Sequence, residues 1–187
     1  SASVATSAST TASASSGGEG GGGDGGAAAS SSSSGVVCDF TSPNDCATAQ
    51  NVGTIAGDEN AGSGPIILSG TTSQWFRIRV EERVGSVSGK DLSYRARLVS
   101  PPGMVYELHT HLGPRGGQVD CNAAPVAGQS DGVALVVQQC WSDQQGIGGQ
   151  DDSRWLSIEV RYVSGESCDP GSVWQLEITG NPRNGSC

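Results

Sequence analysis

Three groups of side chains in this sequence have the types and spacing to do chemistry. In "YELHTHL", Glu107, His109 and His111 recur at every second residue. On a β-strand that period sets all three on one face, and two imidazoles projecting the same way can hold zinc or copper. The competing reading is a row of solvated polar side chains on a wet face. In "CWSDQQGIGGQDDSRW", Asp143, Asp151 and Asp152 stand among glycines. Carboxylates on such a loop can gather Ca2+, although the spacing of an EF-hand is absent. Trp141 and Trp155 flank the same loop, and tryptophans beside acids and amides can stack on sugar rings. The alternative is that both rings cap a core. A hydrolytic site is not apparent. No "GxSxG" occurs, no hydroxyl is paired with a histidine, and Asp151 and Asp152 are adjacent, which is poorly suited to flanking one scissile bond. The chain is therefore read as a non-enzyme with no required cofactor, Ca2+ being the cofactor to test.

The segments that would position these residues alternate with period two, the mark of a strand with one buried face. In "SQWFRIRVEE", Phe76, Ile78 and Val80 alternate with Arg77, Arg79 and Glu81. "LSYRARLV" sets Leu92, Tyr94, Ala96 and Leu98 on one side, and "MVYELHTHL" does the same with Met104, Tyr106, Leu108 and Leu112. "WLSIEVRYV" and "VWQLEITG" follow the pattern. "GPIILSG" and the stretch around Val52 to Ile55 read as short strands, and "CATAQ" as a single helical turn. "VALVVQQC" is continuously apolar, which predicts a central strand buried on both faces. The arginine side of the opening strand is expected to face water, with Trp75 against Arg77 or a neighbour. Together these predict an all-β fold: an antiparallel, jelly-roll-like β-sandwich of about eight strands.

Composition limits what such a domain can be. Apart from Val4, Glu19, Asp24 and Val36, residues 1–36 are Ser, Ala, Thr and Gly. A run like this has almost nothing apolar to offset its ordering entropy, so it is expected to be a disordered linker or stalk with an r.m.s. reach of roughly 30–36 Å. Residues 37–187 are expected to form the sandwich. Net charge is −9, with Lys90 the single lysine, which argues against nucleic acid or anionic membranes as partners. No apolar run is long enough for a membrane-spanning helix.

Six cysteines in so small a domain suit an oxidising compartment and a secreted or cell-surface protein. Cys38, Cys46, Cys121, Cys140, Cys168 and Cys187 allow fifteen pairings. Sequence neighbours are the economical choice: Cys38 with Cys46, Cys121 with Cys140, Cys168 with Cys187. The absence of CxxC argues against zinc. "NGS" at Asn184 is a formal glycosylation acceptor.

"GTTSQWFRIRV", "YELHTHL" leading to Cys121, "DDSRWLSIEVRYVSG" and "VWQLEITGN" follow one another in an order that resembles the bacterial pre-peptidase C-terminal (PPC) domain. The resemblance covers roughly Cys46 to Asn181. It implies a jelly-roll-like sandwich carried by exported bacterial proteins, without catalytic machinery, for adhesion or substrate attachment. Gln74 stands where that family usually has Asp, and "YELHTHL" replaces its aspartate-rich strand. The expected function is a non-catalytic extracellular or cell-surface binding module on a flexible stalk, its ligand an envelope or matrix polysaccharide or a protein. The alternative is a structural subunit of an extracellular assembly, with the low-complexity tail packed between subunits.

Overall fold

The computed structural model describes residues 38–58, 65–83, 90–143, 151–182 and 187. The chain divides into two units, Ser1–Gly35 and Val36–Cys187, and every described residue lies in the second. The expectations for residues 1–36 and for Asn184 lie outside the described residues.

Nine strands form two sheets: β1 (Gln50–Ala56), β2 (Ile66–Gly70), β3 (Gln74–Glu81), β4 (Leu92–Val99), β5 (Val105–Arg115), β6 (Val126–Ser130), β7 (Leu135–Trp141), β8 (Arg154–Ser164) and β9 (Trp174–Gly180). One sheet has the order β1-β3-β8-β5-β6 and the other β2-β9-β4-β7. The antiparallel pairs β2 with β9, β3 with β8, β4 with β7 and β5 with β6 are the rungs of one long hairpin whose fold-back lies between β5 and β6. Rolling that hairpin brings β4 beside β9 and β5 beside β8, which is the winding of a jelly roll. The antiparallel sandwich read from the sequence is therefore the fold.

The core lies between the sheets and is built by the alternating residues. Phe76, Ile78 and Val80 of β3, and Leu156, Ile158 and Val160 of β8, meet Tyr94, Leu98, Trp174 and Leu176 from the facing sheet. Burying each large side chain contributes about 1.5–3 kcal/mol. Polar tips inside the sandwich find partners: Trp174 Nε1 donates to Thr72 O at 2.9 Å, and Tyr94 Oη to Thr110 Oγ1 at 2.9 Å.

Several local expectations change. β6 was not apparent in the sequence, because "VAGQS" has one large apolar residue and a glycine and pairs only at the sheet edge. β1 pairs β3 in parallel, since the chain visits the other sheet as β2 between them and returns in the same direction. "CATAQ" forms a turn and no helix. β7 is an edge strand and not a central one: β9 occupies the other side of β4, and Val133 and Val136 are 72% and 49% exposed. The strand buried on both faces is β8, where Ser157 and Glu159 are covered on the outer side.

All six cysteines are paired, but between distant segments: Cys38 with Cys168, Cys46 with Cys121, and Cys140 with Cys187. These bonds overturn the neighbour pairing. The reason is the rolled hairpin, which sets early and late parts of the chain side by side. Cys38 precedes β1 and meets the β8–β9 loop, and Cys46 reaches the β5–β6 loop. Cys140 meets the chain end, where the Cys187 amide also donates to Asp91.

Candidate functional site

The outer face of β3-β8-β5-β6 collects most of the polar side chains singled out in the sequence. Strand register sets them in rows. One row runs Trp75, Glu159, His109, Ala127, and the next Arg161, Glu107, Gln129. Within these rows the groups are bonded into a network. Gln129 Nε2 donates to Glu107 Oε1 at 2.9 Å, and His109 Nε2 lies 2.9 Å from Glu107 Oε2. Arg161 holds Glu159 with two bonds, Nε to Oε1 at 3.0 Å and Nη2 to Oε2 at 2.7 Å, and its Nη1 is 3.9 Å from Glu107. The His109 and Gln129 hydrogen bonds hold the Glu107 carboxyl below its ordinary range. Glu159 holds the Arg161 guanidinium above its own. The network combines fixed acceptors and a half-exposed guanidinium on rigid strands, an arrangement that can take hydroxyls in pairs.

His111 is set apart from these two. It is buried, Nδ1 meets the Ala123 carbonyl at 2.8 Å, and its ring packs 5.5 Å from Trp75. The structure thus joins Glu107 to His109 and commits His111 to the β5–β6 loop. That loop and the segment before β1 are tied by Cys46–Cys121, which crosses the middle of the face with Cys46 Sγ 3.8 Å from Ser157 Oγ. The face expected to be wet is therefore roofed at its centre and open at either end.

At the other end of the face, Arg77 lies over the ring of Trp155 at 5.9 Å, and Arg79 pairs with Asp151 at 2.7 Å. Trp155, half-buried, is the ring that meets Arg77; Trp75 faces His111 instead. Trp141 is not available for stacking on a ligand. It is 6% exposed, belongs to the core, donates from Nε1 to Asp152 O at 2.9 Å and carries Arg154 over its ring at 5.3 Å. This corrects its assignment as a sugar platform: the end of β7 turns the ring inward, and the Asp152 backbone satisfies its only donor.

The acidic residues separate in a similar way. Asp143 and Asp152 converge with Glu82, one carboxylate oxygen of each lying within 4.8 Å of the other two. Asp151 stands apart with Ser153 and Arg79, which hold its carboxyl below the ordinary range. Burial, a hydrogen bond with Asp152 and the Glu82 charge push the Asp143 carboxyl up. Three converging carboxylates could hold a hard cation such as Ca2+, but Arg115 Nε sits 3.3 Å from Asp152 and already supplies positive charge there. Glu82 follows β3 and is far from Asp143 and Asp152 in sequence; only the pairing of β3 with β8 brings it to them. Gln129, Glu159 and Arg161 could be read as wet-face residues, but no spacing rule reports that β8 and β6 flank β5.

A cleft of about 260 Å3 opens beside Cys38–Cys168, lined by Phe40, Thr71, Asp169 and Pro170 among others. It falls below the range of about 300–1,000 Å3 usual for small-molecule sites. No family model and no curated protein matches the chain. Among solved structures it is similar to the insecticidal delta-endotoxin Cry8Ea1 from Bacillus thuringiensis, with a TM-score of 0.30 and 21% identity over 62% of this chain and 19% of that one. The chain spans about a fifth of that protein's length, and a likeness this slight carries no functional argument.

Proposed function

We propose that the sandwich is a non-catalytic binding module of an exported protein, displayed in the extracellular space or at the cell surface, and that it binds polysaccharide on the outer face of β3-β8-β5-β6. The observation that carries this reading is the network of Glu107, His109, Gln129, Glu159 and Arg161 beside the half-buried Trp75. Sugar recognition needs directional acceptors and donors held at fixed spacing next to an aromatic surface. Strands hold such groups more firmly than loops do. The three long-range disulfides suit an oxidising compartment and stiffen the frame under the face.

The test is co-sedimentation of the oxidised protein with a panel of insoluble polysaccharides and cell envelopes. Glu107→Gln and Arg161→Ala should each weaken retention by about ten- to a hundredfold, the usual cost of losing a charged hydrogen-bonding group. Ile67→Thr, at an exposed position on β2 of the other sheet, should leave it unchanged. Retention that is absent on every material, or indifferent to both network substitutions, would rule this face out.

A further inference from the structure

Arg77 is a guanidinium without a counter-charge among the described residues. Its register partners are neutral, Asn51 on β1 and Ser157 on β8. Glu159, the next outward residue of β8, accepts two bonds from Arg161, and Asp151 pairs with Arg79 at 2.7 Å. Arg77 Nε is buried without an acceptor, and what fixes the group is the Trp155 ring, 5.9 Å from the guanidinium carbon. A cation–π contact positions a guanidinium but leaves its N–H donors unsatisfied. Buried polar groups of native proteins nearly all find a partner, so a half-buried cation left open on rigid strands points to a ligand that brings the acceptor.

We propose that Arg77 is the centre of an oxyanion site, separate from the Glu107 network, that takes the carboxylate or sulfate of an acidic sugar. With Nε covered, the oxyanion meets the two Nη atoms, which are not buried, in the end-on bidentate manner that a planar guanidinium allows. Trp155 is then a positioning residue and not a stacking platform, because its ring is occupied by Arg77. Arg79, in register with Trp155, sets a second guanidinium on the same face, two residues (about 7 Å) along β3, with Nη2 turned to Asp151. On β1, Asn51 and Thr54 stand exposed in register with Arg77 and Arg79. Asn51 Oδ1 accepts from the Gly53 amide, which leaves Nδ2 to donate to a sugar hydroxyl. The oxyanion follows from Arg77; that a sugar carries it rests on the reading of this face as a polysaccharide surface. The net charge of −9 argues against an extended polyanion but acts little on one anionic group. Exposed charges beyond about 8–10 Å are screened. Within the cluster Arg77 and Arg79 outnumber Asp151, and Glu81 further along β3 is paired with Arg83 at 3.5 Å.

Isothermal titration of the full, oxidised chain tests this, with trigalacturonate, its methyl ester and sulfated maltotriose as ligands. At least one of the two acidic sugars should bind, and whichever binds names the oxyanion. The ester, which keeps the sugar and loses the charge, should bind about tenfold more weakly or worse. Arg77→Gln removes fork and charge together and should weaken binding about ten- to a hundredfold. Arg77→Lys keeps the charge without the planar fork and should recover only part of that loss. Arg161→Ala, on the other side of the Cys46–Cys121 roof, should leave binding within about twofold, so failure of the network reading and failure of this one show separately. Should Arg77→Gln fail to fold, Arg77→Lys and the ester still decide. No binding of either acidic sugar at millimolar concentration overturns the proposal. So does an ester that binds as well as the acid, an affinity indifferent to Arg77→Gln, or inorganic sulfate held where both sugars are refused.

Discussion

Glu107 and Asp143 are both carboxylates, yet they depend on pH in opposite directions. Hydrogen bonds from His109 and Gln129 lower Glu107, so its contribution to stability is present above the ordinary carboxylate range and is lost as pH falls through its lowered value. Asp143 is raised by burial and by its carboxylate neighbours, so its contribution is present in acid and is lost as pH rises through its raised value. Near neutrality Asp143 therefore works against the fold. Asp143→Asn removes the charge and keeps a group that can donate to Asp152. Its melting temperature should exceed that of the wild type at pH 7, and the gap should close in acid. Thermal melts across pH check this, and equal melting temperatures at pH 7 would contradict the crowding of the three carboxylates.

At the scale of elements, one glycine and one disulfide carry strong expectations. Gly180 ends β9 where it passes the backbone of β1, and a Cβ added there would lie 1.8 Å from the Ala56 carbonyl oxygen. The obstruction is backbone on both sides, and the neighbouring bonds Ser93 N to Gly57 O and Asn181 N to Ser93 O lock the corner. Gly180→Ala should cost about 3 kcal/mol or more, lowering the melting temperature by roughly 6–12 °C. A shift of a degree or less would show that the corner yields. Cys46–Cys121 closes a span of 75 residues and roofs the outer face. Replacing both cysteines with serine should cost about 4 kcal/mol by the chain-entropy account. It should also free the two loops above Ser157, so hydrogen exchange at β5 and β8 should rise together. Exchange confined to one strand would mean the roof does not depend on the bond.

For the molecule as a whole, the described core is complete within Val36–Cys187, and the Ser-, Ala-, Thr- and Gly-rich stretch before it offers almost nothing apolar to bury. A chain beginning at Val36 should therefore melt at the same temperature as the full chain by calorimetry. A lower value would assign a structural role to residues 1–35. No described helix is long and apolar enough to cross a membrane.

Much of this could be read from local pattern. Period-two alternation identified five of the nine strands, short apolar runs and turn residues pointed to three more, and the alternation gave the inward set Phe76, Ile78, Val80, Tyr94, Leu98, Leu156, Ile158 and Leu176, because a strand's side chains alternate whatever its neighbours are. The polar outward set, including Glu107 and His109, was legible for the same reason. Pairing was not. Which strand lies beside which is decided by how the long hairpin rolls, a contact between residues far apart in sequence, and no local spacing encodes it. Hence "VALVV" read as a central strand while β7 stands at an edge, and the sequence left Trp141 between a sugar platform and a core cap, of which the fold takes the second. The cysteines followed the same rule: their types announced three disulfides, but only the rolled sandwich brought Cys38 to Cys168, Cys46 to Cys121 and Cys140 to Cys187. Residue type and alternation determined what each segment is and which side of it is buried. The tertiary roll alone decided which segments meet, and with them the network of Glu107, Gln129, Glu159 and Arg161, because its members come from three strands that only the rolled hairpin sets side by side.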